Sequence, residues 1–175
     1  MSPIEAETFL AGYLDEGRRN MEPLREFAAL GHVQANFSLA TLPAIMYAVW
    51  REIEFVPAEP DEVQRIFPAL YTGRERRVGV RSRDAVATLS YYLGESFVRS
   101  YPSRLYWGLG DSETIHANHP AVVGFAKGLD MPVAPVTQNV LIQAAEKREP
   151  PIPHFERFIE YWRTLAEEDL AGIGS

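Results

Sequence analysis

The stretch from Ser82 to Phe97 limits the fold more than any other part of the chain. Its large apolar residues recur at every third or fourth position, which is the pattern of one face of an α-helix, at Val86, Leu89, Leu93 and Phe97. Ser82 precedes the pattern and is predicted to cap the helix. Gly94 lies inside it, where glycine costs about 1 kcal/mol relative to alanine. We therefore expect another element to pack closely against Gly94.

Helical spacing extends over most of the remaining chain. Residues 3–30 predict an amphipathic helix with a break near Pro23, and Gly31 is suited to its end. Residues 37–54 predict a buried helix. Further helices are predicted over residues 61–71 and over residues 137–147 with Thr137 as the cap. The prolines at 150, 151 and 153 are predicted to break the chain, and a last helix is predicted to follow them, with Phe155 as the first residue of its apolar face, and to end near Gly172.

Two short runs have the character of strands instead. Arg104–Gly108 and Ala121–Lys127 flank a polar, glycine-bearing connection, which predicts an antiparallel hairpin with an unusually long loop. Residues 73–81 fit either a strand or a loop. The sequence thus predicts an α+β fold that is mainly α, with about six helices and a small antiparallel β-hairpin. Its 175 residues suit one domain over 1–175.

Composition excludes several classes of function. The chain has no cysteine, so it forms no disulfide, thiolate metal site or cysteine nucleophile. No stretch has the roughly 18 apolar residues of a membrane span, and the N-terminus lacks the pattern of a signal peptide. We therefore expect a cytoplasmic protein without membrane contact.

The net charge of −7 disfavours nucleic-acid binding, which depends on cations that neutralise phosphates. One basic cluster runs against this trend, and a phosphate or nucleic-acid patch there is the minority interpretation. We expect its side chains to be solvated or to pack against the acidic ends of the chain. The cluster consists of Arg74, Arg76, Arg77, Arg81 and Arg83.

The hairpin loop, GLGDSETIHANHP from Gly108 to Pro120, holds most of the candidate chemistry. His116 and His119 supply only half of a zinc ligand set, so we predict no metal. Ser112 and Thr114 adjoin His116 but lack the surroundings of a nucleophile. The glycines fit neither a phosphate loop nor a dinucleotide fingerprint. The enzyme alternative is a small metal-dependent or hydrolytic enzyme with a site around Glu95, His116 and His119.

Two other features have a structural and a functional interpretation. Glu95 follows Gly94 on a buried helix, where a carboxylate is usually paired, so we expect a salt bridge to an arginine. Tyr106 and Trp107 point to opposite faces if residues 104–108 form a strand. At least one of the two is then available to a partner, because tyrosine and tryptophan concentrate binding energy at protein interfaces.

The segment from Ala85 to Phe125 resembles small bacterial domains, several of which are grouped with immunity proteins of polymorphic toxins and secretion-system effectors. The likeness is a helix that ends in YYLGE, a strand that bears a tryptophan, and a second strand that opens with HPAVVGF. The residues that carry it are Leu93, Gly94, Glu95, Trp107, Pro120 and Val122.

This resemblance implies a protein that is not an enzyme and needs no cofactor. It implies an immunity protein that neutralises a cognate toxin in the cytoplasm by occluding the toxin's active site. An acidic inhibitor suits a toxin with a basic cleft, because complementary charge accelerates association. The predicted partner contacts are Trp107, Asp111, Glu113, His116 and Asn118.

Overall fold

The structure, a computed structural model, describes residues 3–57, 76–110, 118–146 and 151–168. Within these ranges the chain has six α-helices and two small antiparallel sheets, so the predicted mainly helical α+β fold is confirmed. The predicted helix over residues 61–71 lies outside the described residues. The helices are α1 Pro3–Arg19, α2 Glu22–Leu30, α3 Leu42–Glu52, α4 Arg83–Ser100, α5 Val133–Glu146 and α6 Pro151–Glu167. The strands are β1 Phe55–Pro57, β2 Arg76–Val78, β3 Tyr106–Leu109, β4 Pro120–Val123 and β5 Met131–Pro132.

Helix α4 is the centre of the fold. It packs against α1, α2, α3 and α5, and also against the strands β3 and β4. Its side chains are buried on more than the one face that the sequence pattern indicates, since Tyr91 and Ser96 are buried as well as Leu93 and Phe97. The buried hydroxyls of Ser90 and Ser96 each donate to the carbonyl four residues earlier, at 2.7 Å. These bonds let a helix with polar residues lie inside a core.

The break in the N-terminal helical region falls between Arg19 and Glu22, slightly before the predicted position near Pro23. Helix α2 ends at Leu30, and Gly31 follows as predicted. Helix α3 begins at Leu42, five residues later than predicted. The reason is local, because Phe37 has a left-handed φ of 59°. The amide of Ser38 donates to Asn36 Oδ1 at 3.0 Å, which forms a turn in place of a helix.

Two predicted helix caps are wrong. Ser82 makes no capping hydrogen bond, and its Oγ accepts the amide of Glu54 at 2.8 Å, which ties the end of α3 to the start of α4. Thr137 is buried inside α5, which begins four residues earlier at Val133. A proline in the first turn of a helix is tolerated, so Pro135 allows this earlier start.

The predicted hairpin is confirmed, with Trp107 opposite Val122 and Gly108 opposite Ala121. The second strand is shorter than predicted because Gly124, with φ of 101°, turns the chain after Val123. Strand β5 pairs with β4 and completes a three-stranded sheet in the order β3-β4-β5, which the sequence did not predict. The other sheet pairs β1 with β2, so part of residues 73–81 is a strand.

Candidate functional site

The β3–β4 hairpin rests on α4 through a small cluster of residues, here called the hairpin base. Trp107 of β3 lies at its centre and contacts residues from two helices. The cluster consists of Trp107, Tyr13, Tyr91, Gly94 and Glu95. Trp107 is half-buried, whereas Tyr91 is fully buried in the core.

Gly94 sets the distance between the helix and the hairpin. A Cβ atom at this position would lie only 2.6 Å from Trp107 Cζ2 and closer still to Cη2. It would also lie 3.0 Å from Val133 Cγ1 of α5. The expectation that another element packs closely against Gly94 is confirmed, and that element is the indole of Trp107.

Glu95 fixes the orientation of the indole. Trp107 Nε1 donates to Glu95 Oε2 at 3.0 Å, while Arg99 Nε donates to Glu95 Oε1 at 2.8 Å. The Glu95 side chain is 16% exposed and that of Arg99 is 54% exposed. The predicted pairing of Glu95 with an arginine is confirmed. The arginine is one helical turn away, and the other carboxylate oxygen of Glu95 accepts the bond from the hairpin.

The aromatic rings complete the hairpin base. The rings of Tyr91 and Trp107 stack with an interplanar angle of 5° and centroids 5.9 Å apart. Tyr13 of α1 meets Trp107 edge-on at 5.8 Å. Helix α1 can approach α4 closely because Gly17 has no side chain. A Cβ at this position would collide with the Tyr91 ring. The contribution of α1 to this cluster was not predicted. A glycine inside a predicted helix indicates close packing, and this applies to Gly17 as it does to Gly94.

Burial governs the ionisation of the two tyrosines. It raises the pKa of the Tyr13 phenol far above its usual value, and the neighbouring Tyr91 adds to this effect. Burial also raises the pKa of Tyr91, assisted by the negative charge of Glu95 and opposed by Arg18 and Arg99. Both phenols are therefore protonated at neutral pH, and neither is a general base. Their part in the hairpin base is to pack against Trp107.

Backbone hydrogen bonds close the base of the loop beyond the strands. The amide of Gly110 donates to the carbonyl of His119 at 2.8 Å, and the amide of Asn118 donates to that of Gly110 at 3.4 Å. Asn118 has a left-handed φ of 63°, which asparagine tolerates better than most residues. Residues 111–117 lie outside the described residues, and with them the predicted contacts Asp111, Glu113 and His116.

The hairpin separates the two aromatic residues that the sequence identified. Trp107 faces α4 and is partly exposed, and its predicted contact with a partner stays a prediction. Tyr106 points to the other side, and 61% of it is exposed. This agrees with the expectation that at least one of the two is available to a partner.

The enzyme alternative combines Glu95 with His116 and His119. Both oxygens of Glu95 accept hydrogen bonds, from Trp107 and Arg99, so the carboxylate already has a structural role in the hairpin base. His119 is exposed, and His116 is not described. Across the four described ranges, no three histidine, aspartate or glutamate side chains lie close enough together to hold a metal ion.

The basic cluster does not lie on one element. Arg76 and Arg77 belong to β2, Arg81 lies in the short 3-10 helix Val80–Ser82, and Arg83 is the first residue of α4. Arg74 is outside the described residues. None of the helices that the structure describes is long and apolar enough to cross a membrane.

Comparisons with family models, with curated proteins and with solved structures find no match to this chain.

Proposed function

We propose that this chain is an immunity protein that acts in the cytoplasm, where it binds a cognate bacterial toxin through the β3–β4 hairpin and occludes the toxin's active site. The observation that carries the proposal is the exposed Tyr106 on a hairpin whose opposite face is fixed to the central helix. A rigid support lowers the entropy lost on binding. Tyrosine is also among the residues that dominate interface energies.

Charge supports the same choice of partner. The sequence directly after β3 contains Asp111 and Glu113, and the whole chain has a net charge of −7. Toxins that act on nucleic acid or nucleotides need a basic cleft, and an acidic inhibitor gains association rate and specificity against such a cleft. The resemblance of residues 85–125 to immunity proteins gives the same class of partner.

The experiment is capture of partners from a lysate of the host with three tagged baits, which are the wild-type chain, Tyr106→Ala and Tyr161→Ala. Tyr161 is a matched control because it is 55% exposed but lies on α6. We expect the wild type and Tyr161→Ala to retain one protein at stoichiometric level. Tyr106→Ala should retain much less, since loss of a central aromatic contact costs about 2 kcal/mol or more.

Equal retention by the two variants would remove the hairpin from the interface. Capture of no partner by any bait, together with metal in the purified wild-type protein, would contradict the proposal and favour the enzyme alternative.

A further inference from the structure

The outer edge of β3 has backbone N–H and C=O groups that pair with no other strand among the described residues. In the part of the chain that the structure describes, β3 pairs with β4 on one side and with no strand on the other. The bond from Gly110 to His119 marks these residues as a hydrogen-bonded pair. Such pairs alternate along an antiparallel ladder, so Trp107 and Leu109 direct their N–H and C=O groups away from β4.

The residue opposite Leu109 agrees with this assignment. It is Pro120, which has no N–H to donate, and a non-hydrogen-bonded position requires none. Helix α1 also packs against β3, and the ring of Tyr13 lies edge-on to that of Trp107 at 5.8 Å. Among the described residues, α1 makes no backbone hydrogen bond to β3.

The other strands carry the features that protect sheet edges from pairing. Strand β1 ends in Pro57, and β2 contains Arg76 and Arg77. Strand β5 has only two residues, Met131 and Pro132, and both are buried. Strand β3, with the sequence YWGL, has neither a proline nor a charge. It is therefore the strand best suited to accept another.

We infer that the toxin adds an extended segment to the outer edge of β3 as a fourth strand of this sheet. The inference rests on the proposed function, because it specifies how the same partner binds the hairpin. Backbone bonds to Trp107 and Leu109 give affinity in this mode, and side chains beside the edge, such as Tyr106, give specificity. Charge identifies the occupant as a basic segment of another protein. A second copy would bring together two chains that each carry −7.

The test uses an acetylated, amidated peptide of alternating lysine and valine, followed by amide NMR of the full-length chain. Leu109→Pro removes the outward N–H and no bond of the hairpin. Leu109→Ala removes the same side chain and keeps the N–H, so it is the matched control. We expect the wild-type amides of Trp107 and Leu109 to shift with saturation. Leu109→Pro should bind about tenfold more weakly than Leu109→Ala, as expected for a lost hydrogen bond.

Hydrogen exchange on the wild type makes the test independent of how well Leu109→Pro folds. Addition of the peptide should slow exchange at Leu109 and leave Gly108 unchanged, because the Gly108 amide already faces β4. Equal binding by the two variants, or shifts confined to other residues, would overturn the inference. Shifts of the Trp107 and Leu109 amides that depend on protein concentration alone would also overturn it, because the edge would then pair with a second copy.

The two proposals fail separately. If the lysate yields a partner that binds Leu109→Pro and Leu109→Ala equally, strand addition is wrong and the immunity function stands. If the lysate yields no partner while the peptide binds the edge, the proposed function is wrong and the edge still accepts a strand.

Discussion

Two successive parts of α4 hold their neighbours in different ways, the first around Gly94 and Glu95 and the second at the last turn of the helix. Around Gly94 and Glu95, the helix holds the hairpin by close packing and by a hydrogen bond to a partly buried carboxylate. Toward its C-terminal end, the guanidinium of Arg99 lies 3.9 Å above the ring of Phe37. Just beyond the helix, the hydroxyl of Tyr101 donates to Glu167 at 2.7 Å in an exposed contact.

This difference predicts where the molecule is rigid. Exposed ion pairs and hydrogen bonds contribute little, because water competes for the same groups. Packed rings and buried bonds cannot be replaced by water, so their loss costs more. The proposed binding surface rests on the part of α4 around Gly94 and Glu95, and the following variants test that ranking.

The largest effect is expected for Gly94→Ala. The added methyl group overlaps the Trp107 indole, and overpacking of this kind costs about 3 kcal/mol. Gly12→Ala is the matched control, since Gly12 also lies within a helix but has nothing within 4 Å of an added Cβ. Alanine should stabilise that helix by up to about 1 kcal/mol. Urea unfolding measures both, and changes in the free energy of unfolding that have the same sign in the two variants would contradict the packing described for Gly94.

The second prediction concerns Glu95. Glu95→Leu leaves Trp107 Nε1 without its acceptor and should lower the free energy of unfolding by about 2 kcal/mol. Glu95→Gln keeps an acceptor for the indole and loses only the ion pair with the exposed Arg99, which should cost less than about 1 kcal/mol. If the two variants unfold at the same urea concentration, the bond to Trp107 does not hold the hairpin.

A smaller difference is expected at Phe37. Both Phe37→Ala and Phe37→Gly lose the stacking on Tyr92 and the contact with Arg99. Only glycine accommodates the left-handed φ of 59° without strain. Phe37→Ala should therefore be the less stable variant by about 1 kcal/mol in thermal or urea unfolding. An alanine variant as stable as the glycine variant would show that this backbone conformation is not maintained.

The smallest effect at neutral pH is expected for Tyr101→Phe, which loses one exposed hydrogen bond and less than about 1 kcal/mol. The effect of this substitution on stability is expected to depend on pH in the alkaline range. Burial, together with the hydrogen bond to Glu167 and its charge, raises the pKa of Tyr101 from 10.0 to about 12. The unfolded chain therefore loses this proton first. The resulting stabilisation is present below pH 10 and is lost as the pH rises toward about 12.

The check is urea unfolding of the wild type and Tyr101→Phe between neutral pH and pH 12. The stability advantage of the wild type over the variant should shrink across that alkaline range. A constant difference would show that Tyr101 ionises alike in both states.

Much of the fold was predictable because apolar periodicity is visible within a short stretch of sequence, and a glycine inside a helix indicates close packing at that residue. The spacing of Val86, Leu89 and Leu93 defined the central helix, and Gly94 indicated its closest contact. The residues at which α3 and α5 begin were not predictable in the same way. Phe37 adopts a conformation that its own sequence disfavours, and the stacked ring of Tyr92 and the hydrogen bond from Phe37 N to Tyr92 Oη support it from 55 positions away.

The candidate site was predictable only in part for the same reason. A salt bridge from Glu95 to an arginine was predicted because buried carboxylates are usually paired, and the structure shows that the partner is Arg99, one turn away. The bond from Glu95 to Trp107 and the ring of Tyr13 depend on how three elements pack, which local sequence does not encode. The inward direction of Trp107 and the outward direction of Tyr106 depend on which face of the strand meets α4.

The most direct test of the central claim is protection of growing bacteria. The captured partner is expressed alone, and then together with the wild-type chain, Tyr106→Ala or Tyr161→Ala. We expect the partner to stop growth, the wild type and Tyr161→Ala to restore it, and Tyr106→Ala to restore it poorly at equal protein level. A harmless partner, or equal protection by Tyr106→Ala and Tyr161→Ala, would contradict neutralisation through the hairpin.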